Sequence, residues 1–274
     1  MSGATPDLSL VIASYNDARI LPAGVAEIAA VLDQTRLTYE LIFVDDASRD
    51  DSWAVIEQLR HHWARIPTQA LRHATNQGRG QAVRDGFRLA RGRIAGFLDV
   101  DLEVHARYLP ALVDAIDRQG YDAATAWRIY KLTWSGLVRA ACSQGYRWLV
   151  HAALGLPYRD TETGCKCFSR GALERVLDAT EDPGWFWDTE IMAACHAAGL
   201  RVAEVPALFL RRQDKVSSVR VVRDSLRYAR SLWRCRARLP ALRARLSPRP
   251  ALSRLSEDSP VVTPADEAAH AGRP

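Results

Sequence analysis

Short apolar runs alternate with longer stretches of helical spacing along the first part of the chain. The apolar runs predict four buried strands at residues 8–13, Tyr39–Val44, Thr68–Leu71 and 94–98. The helices between them are predicted at Ile20–Leu32, around Ile56, from Gly80 through Ala90 and at Ala106–Arg118. Alternation of strands and helices at this length predicts an α/β fold, a mostly parallel sheet with helices on both faces.

Later in the chain the pattern becomes less regular. A strand is predicted at Tyr121–Ala126. Val221–Leu246 has the spacing of a basic amphipathic helix, which we expect to break near Pro240. The predicted organisation is a main domain over residues 1–220 and a helical segment over 221–246. Residues 247–274 are rich in proline, serine and charge, a composition that predicts a disordered tail.

One strand end carries two closely spaced acids. The run Ile94–Leu98 is followed by Asp99 and Asp101, two residues apart. Ligands of open α/β sheets bind beyond the carboxyl ends of the strands, where these side chains would lie. Two carboxylates there suit Mg²⁺ or Mn²⁺ that also holds a diphosphate. Taken alone, the two acids are explained better by a solvated turn after the strand.

A glycine turn precedes the third predicted helix. Gly78 and Gly80 have the spacing that opens a dinucleotide fingerprint, but Val83 stands at the place of its third glycine, so hydride transfer is disfavoured. Backbone N–H groups at such a turn, with Arg79 between the glycines, can approach a phosphate. A tight turn without a ligand explains the motif equally well.

The length, apolar content, cysteines and charge of the chain limit the kinds of protein it can be. The chain has 274 residues, 48% of them apolar, enough for a substantial core. No apolar run is long enough to cross a bilayer and no signal-peptide pattern is present, so we expect a cytoplasmic protein. The five cysteines are scattered, which favours reduced thiols, and Cys165-x-Cys167 lacks the usual zinc spacing. The net charge of +5 is concentrated in an arginine-rich region after Arg211, which predicts an anionic partner.

Taken together, the strand-end motifs resemble family 2 glycosyltransferases of the GT-A fold. Four signatures occur in order: Ala-Ser-Tyr-Asn-Asp at 13–17, Val-Asp-Asp-Ala-Ser-Arg-Asp at 44–50, Asn-Gln-Gly-Arg-Gly at 76–80 and Asp-Val-Asp at 99–101. Three later motifs resemble polyprenyl-phosphate sugar synthases: Asp160–Phe168, Trp187-Asp188-Thr189-Glu190 and Glu204-Val205-Pro206. The chain departs from the family pattern at Ala13, Asp17 and Cys165, where proline, glutamate and an aromatic residue are usual.

The resemblance implies a Rossmann-like domain that binds a UDP- or GDP-hexose with Mg²⁺ or Mn²⁺. By resemblance Asp46 binds the base, and Asp99 and Asp101 hold the metal against the diphosphate and act in catalysis. The implied nucleotide-binding set is Ala13, Tyr15, Asp17, Asp45, Asp46, Gly78, Arg79 and Val100. Two structural alternatives stay open: Asp46 as a helix cap and Tyr15 as a core residue.

Transfer to a hydroxyl and transfer to a phosphate require different residues around the acceptor. A hydroxyl acceptor needs a general base, for which the resemblance favours Asp188, the third implied catalytic residue. A polyprenyl phosphate is already anionic and needs cations and hydroxyls that position it. The residues expected in that role are Arg128, Arg139, Ser143, Arg211 and Lys215. Solvated surface arginines are the alternative for any one of them.

Two stretches suggest a membrane surface, Leu137–Leu156 and Val221–Leu246, because both combine arginines with interfacial aromatic residues. Packing of these amphipathic segments onto the domain is the competing interpretation. The predicted function is inverting transfer of a hexose from a nucleotide sugar to polyprenyl phosphate at an anionic membrane surface on the cytoplasmic side. The alternatives are transfer to a hydroxyl of a lipid or small molecule, and a non-catalytic nucleotide-sugar-binding module. No nucleic-acid partner is expected.

Overall fold

A seven-stranded, mostly parallel sheet forms the centre of the molecule, in a computed structural model that describes residues 5–130, 145, 148–210 and 221–247. The strands are β1 (Leu8–Ser14), β2 (Tyr39–Asp45), β3 (Thr68–Arg72), β4 (Ile94–Leu98), β5 (Ala123–Tyr130), β6 (Cys165–Ser169) and β7 (Val202–Phe209). Their order in the sheet is β3-β2-β1-β4-β6-β5-β7. Strand β6 runs antiparallel to both of its neighbours, and the other pairs are parallel.

Helices cover both faces of this sheet. They include α1 (Leu21–Leu32), α2 (Ser52–His62), α3 (Arg79–Leu89), α4 (Leu109–Asp117), α5 (Arg170–Val176), α6 (Trp187–Ala197) and α7 (Val221–Leu246). Buried residues of α1, α2 and α4 form one core with the sheet. Those of α3, α5, α6 and α7 form the other. The predicted α/β architecture is confirmed.

The first part of the chain follows its apolar pattern closely. Strand β4 has the predicted bounds, Ile94–Leu98, and all five of its residues are buried. Helix α1 tolerates Pro22 because proline lies in its first turn, where no helical N–H bond is lost. The predicted helix Ala106–Arg118 begins as a 3₁₀ turn at Ala106–Tyr108 and continues as α4, with Pro110 in the first α-helical turn.

Two predicted boundaries are wrong. Strand β5 begins at Ala123 and extends to Tyr130, because it pairs with β7 along its whole length, so Arg128 lies within the strand. Helix α7 continues through Pro240 to Leu246. Leu239 and Leu242 on either side of this proline are buried, and this packing holds the helix together despite the missing N–H donor.

Helix α7 packs on the domain over its described side chains. Leu232, Cys235, Leu239 and Leu242 belong to the core beside α6. Residues 137–147 of the other predicted surface segment lie outside the described residues apart from Gly145, and so does the tail after Ser247. In the described ranges, the structure contains no helix with both the length and the apolar character that a membrane crossing requires.

Candidate functional site

A cavity of about 630 Å³ opens at the carboxyl ends of the central strands. Seven carboxylates and three arginines contribute to its lining. The acids are Asp17, Asp46, Asp99, Asp101, Glu103, Glu162 and Asp188, and the arginines are Arg79, Arg128 and Arg227. Because the parallel strands end together at this edge, motifs far apart in sequence meet around one space. An excess of acids over cations makes the cavity suited to a ligand that brings positive charge with it.

The acids after β4 lie at the centre of this lining. The backbone N–H of Asp99 donates to the carbonyl of Gly164, 2.9 Å away, which fixes the end of β4 against the start of β6. A Cβ atom at position 164 would collide with the Asp99 carboxylate, so a larger residue there would have to displace that side chain. Burial, together with neighbouring Asp101 and Asp188, raises the pKa of Asp99 to about 6 despite the opposing charge of Arg79.

Arg79 joins two acids that are far apart in the sequence. Its Nη2 donates to Asp99 Oδ1 at 2.7 Å and its Nη1 to Asp188 Oδ2 at 2.8 Å. The guanidinium also lies 5.0 Å from the ring centroid of Trp185, a cavity residue that is 54% exposed. Burial opposes the charge of Arg79, but Asp188 and Asp99 outweigh it and raise the pKa of the guanidinium. Arg79 is therefore a fixed cation between the predicted metal site and α6.

The second oxygen of Asp188 has its own cationic partner. Lys166, in β6, has no solvent exposure, and its Nζ lies 3.3 Å from Asp188 Oδ1 and donates to the carbonyl of Thr163. Burial lowers the pKa of Lys166, with Asp188 acting against the shift. Asp188, at the start of α6, is thus held by a cation on each oxygen. If Asp188 took a proton from an acceptor hydroxyl, its ion pair with Arg79 or with Lys166 would be weakened.

Asp46 also lines the cavity and is held by hydrogen bonds from the protein. Its Oδ1 accepts from the backbone N–H of Gln77 at 2.8 Å and lies 2.7 Å from His73 Nδ1. Its Oδ2 accepts from the N–H of Gly78, also at 2.8 Å. Asp46 therefore fixes the loop before α3. The helix-cap alternative for Asp46 is wrong, because the N-cap residue of α2 is Asp51. Gly78 has a φ of 102°, which favours glycine.

The remaining predicted nucleotide residues divide into two groups. Ala13, Tyr15, Asp17 and Val100 line the cavity. Tyr15 is 41% exposed, so the core alternative for it is wrong. Asp45 is fully buried and does not contribute to the lining. Its Oδ2 lies 3.1 Å from Arg72 Nε. Asp45 therefore forms an ion pair between β2 and β3 and does not reach the cavity.

Among the predicted acceptor residues, Arg128 lies in the described structure and lines the cavity. Its Nε and Nη2 donate to both oxygens of the buried Asp160, at 2.7 and 2.9 Å, and Glu162 lies 3.4 Å from Nη2. Burial raises the pKa of Glu162, with Arg128 opposing. Arg139, Ser143, Arg211 and Lys215 lie outside the described residues.

Helix α7 supplies two cavity residues that the motifs do not identify as site residues. Arg227 and Tyr228 line the cavity from the segment predicted as a basic amphipathic helix after the main domain. The Tyr228 hydroxyl hydrogen-bonds with Thr189 Oγ1 at 3.0 Å, and its ring meets Phe186 edge to face. Trp185 was likewise missed, since a single tryptophan between two motifs carries no signal of its own. The aromatic and basic pattern of α7 was the available signal for Arg227 and Tyr228.

The donor set of the cavity fits a hard divalent cation. Asp99 and Asp101 offer carboxylate oxygens on the same strand end, and Mg²⁺ commonly uses one or two carboxylates with substrate phosphates. Where the structure is described, no cluster of three or more His, Cys, Asp or Glu side chains forms a metal site. The diphosphate would therefore have to complete the coordination. Cysteine ligands do not fit, because burial raises the pKa of Cys165 to about 12.

The sheet order, the flanking helices and the acid-lined carboxyl edge define an α/β domain of the GT-A type. The chain belongs to glycosyltransferase family 2, whose model, described as glycosyl transferase family 2, matches residues 9–177. Glycosyltransferase AglD of Haloferax volcanii is 33% identical over 230 residues, which are 82% of this chain and 36% of AglD. This chain thus spans little more than a third of that relative.

A second relative is matched over more of its own length. The dolichyl-phosphate beta-glucosyltransferase of Saccharomyces cerevisiae is 25% identical over 246 residues, 82% of this chain and 72% of the yeast protein. Glucosyl-3-phosphoglycerate synthase from Mycobacterium tuberculosis, solved with UDP, superposes with a TM-score of 0.61 at 18% identity, covering 89% of this chain and 82% of that one. Mannosyltransferase PcManGT from Pyrobaculum calidifontis, solved with GDP-Man and Mn²⁺, gives 0.57 at 18% identity, covering 89% and 73%. At these identities the solved structures establish the fold alone.

Proposed function

We propose that this glycosyltransferase transfers a hexose from UDP- or GDP-sugar to a polyprenyl phosphate, with inversion at the anomeric carbon and with Mg²⁺ or Mn²⁺. The name of the yeast relative supports the lipid phosphate as acceptor. The nucleotides and metal ions in the related solved structures support the donor and the cofactor. The reaction forms a bond between an acceptor phosphate oxygen and the anomeric carbon. The bond to the nucleoside diphosphate breaks, and the leaving diphosphate takes the electron pair.

The donor residues divide the work around the cavity. Tyr15 and Asp17 border the nucleotide side, and Asp46 holds the loop whose Gly78 and Arg79 face the diphosphate. Asp99 and Asp101 would hold the metal, which neutralises charge on the leaving diphosphate when bound. The excess of carboxylates in the lining supports this requirement, because a diphosphate would otherwise meet net repulsion.

The ion pairs of Asp188 are the observation that supports a phosphate acceptor. Both of its oxygens are engaged by buried cations, Arg79 at 2.8 Å and Lys166 at 3.3 Å. A hydroxyl acceptor requires a base that takes its proton, and in this arrangement Asp188 serves as a counter-ion. A phosphate acceptor has no such requirement. Arg128 remains the proposed acceptor contact among the predicted residues that the structure describes.

The test is a product assay with paired acceptors. The full chain is incubated with a panel of UDP- and GDP-hexoses, Mn²⁺ or Mg²⁺, and either farnesyl phosphate or farnesol, followed by mass spectrometry of the lipid. We expect a hexosyl phosphate lipid from one donor and no product from farnesol. Equal use of farnesol would replace the proposal with a hydroxyl acceptor. Donor binding without transfer to either acceptor class would favour the binding-module alternative.

A further inference from the structure

The three arginines that line the cavity differ in their ion pairs. Arg79 pairs with Asp99 and Asp188, and Arg128 pairs with Asp160 and Glu162. These four acids are partly or fully buried, so each guanidinium already has its counter-charge within the protein. The positive charge of each arginine is therefore neutralised by neighbouring carboxylates and attracts an anion from solution only weakly.

Arg227 has a different environment. It is exposed, it lines the same cavity, and within the described residues no carboxylate forms an ion pair with it. An exposed guanidinium keeps its charge and its forked donors available, a geometry suited to phosphate oxygens. Arg227 is therefore the cavity arginine best able to attract an anionic group from solution.

The helix that carries Arg227 is anchored to the domain at several points. Ser231 Oγ donates to Asp182 Oδ2 at 2.6 Å, and Arg238 pairs with the buried Glu190 at 3.0 Å. Leu232 and Cys235 are buried between these contacts. Because the anchors lie one to three turns beyond Arg227, this arginine projects from a fixed element.

The contacts of Tyr228 show on which side of the cavity Arg227 lies. Tyr228 hydrogen-bonds to Glu162 and lowers the pKa of that carboxyl against the effect of burial. Glu162 in turn lies 3.4 Å from Arg128 Nη2. This chain of contacts connects α7 to the Arg128 side of the cavity, the side proposed above for the acceptor. Arg227 thus lies on the acceptor side.

We propose that Arg227 of the C-terminal helix binds the phosphate of the acceptor. The inference rests on the proposed function, since it assigns a residue to the acceptor phosphate of that same reaction. It also gives α7 a direct part in the site. Arg128, held by two acids, then shapes the acceptor side, and Arg227 supplies the accessible charge.

The test compares acceptor and donor kinetics in the full-length protein, with farnesyl phosphate as acceptor. Arg227→Gln should raise the KM for farnesyl phosphate about tenfold, the effect of losing a charged hydrogen-bond partner at an exposed site. The KM for the nucleotide sugar should not change. Arg227→Lys should recover part of the loss, because it keeps the charge but not the fork. Added salt should raise the acceptor KM of the wild type more than that of Arg227→Gln.

Arg234→Gln is the matched control. Arg234 is exposed on nearly the same face of α7, two turns away, and does not line the cavity. It should leave both KM values unchanged. Wild-type acceptor kinetics in Arg227→Gln, an equal rise in Arg234→Gln, or an equal rise in donor KM would overturn the assignment of Arg227 while leaving the proposed function in place. Failure of the wild type to use farnesyl phosphate would overturn both.

Discussion

The two ends of the central sheet both bury acids, but they treat them differently. At the amino end, Glu40 in β2 has no exposure and accepts hydrogen bonds from Ser9 Oγ at 2.6 Å, Arg91 Nη2 at 2.7 Å and Gln69 Nε2 at 3.2 Å. At the carboxyl end, Asp99 and Asp188 share Arg79 beside a cavity with more acids than arginines. The charges of the first end are satisfied by the protein. At the second end, the acids that line the cavity outnumber the arginines by seven to three.

Backbone conformation shows the same contrast. Among the residues that the structure describes, three that are not glycine have positive φ: Asn16 at 57°, Ala47 at 59° and Leu102 at 53°. Each follows the carboxyl end of a strand, β1, β2 or β4, within a few residues. Strained conformations of this kind persist where the surrounding structure holds them, and they concentrate at functional sites. The amino end therefore has a satisfied hydrogen-bond network, whereas the carboxyl end has strained backbone next to the cavity.

The largest expected effect is at the acids after β4. Asp99→Asn or Asp101→Asn should lower turnover about a hundredfold or more, because the metal proposed to stabilise the leaving diphosphate would lose a ligand. Steady-state turnover with added Mn²⁺, and calorimetric titration of Mn²⁺ with nucleoside diphosphate present, measure the effect. Full activity in both variants, or in excess chelator, would remove the metal from the proposal.

The next effect concerns Asp46, which we propose lies on the nucleotide side of the same end. Asp46→Ala should weaken nucleoside diphosphate binding by about 1–3 kcal/mol, because the loop carrying Gly78 and Arg79 loses its acceptor. Calorimetry measures the affinity. Asp46→Asn keeps one carbonyl oxygen and should lose less. Unchanged affinity in Asp46→Ala would reduce Asp46 to a structural contact.

Much of the carboxyl end could be predicted because parallel strands place their ends together. Short apolar runs gave the positions of β1, β2 and β4, and the polar residues after them necessarily meet at one edge. Asp46, Gly78, Asp99 and Asp101 line one cavity for this reason. Their chemical roles remain predictions.

Contacts made by tertiary packing could not be predicted in this way. Arg79 and Asp188 are 109 residues apart, and they meet because α6 packs beside α3 on the same face of the sheet. The antiparallel insertion of β6 puts Lys166 next to Asp188, which no local pattern specifies. The position of Arg227 depends on how α7 docks, and its amphipathic pattern fits a membrane surface equally well.

A smaller effect is expected when the satisfied network at the amino end is broken. Glu40→Gln should lower the free energy of unfolding by about 1–2 kcal/mol, since charged hydrogen bonds are lost while Arg91, 61% exposed, can return to solvent. Turnover at saturating substrate should stay at the wild-type level. Urea unfolding and the transfer assay on the same preparations give both values. A large loss of turnover with unchanged stability would contradict the division between the two ends.

The smallest effect tests the amino end through pH. Hydrogen bonds from Arg93 and from Thr38 hold the pKa of Asp7 at about 2, below its ordinary value of 3.8. Because the folded-state pKa is lowered, this stabilisation is complete above the unfolded pKa and is lost as pH falls from about 4 to about 2. Asp7 is partly exposed, with 26% of its side chain accessible, so solvent screening limits its contribution to about 1 kcal/mol or less. Asp7→Asn should therefore have a lower urea midpoint than the wild type at about pH 5, and the difference should shrink towards about pH 2.5. A difference that is independent of pH would mean that Asp7 acts through packing or neutral hydrogen bonds, and its charge would have no part in the stability of this end.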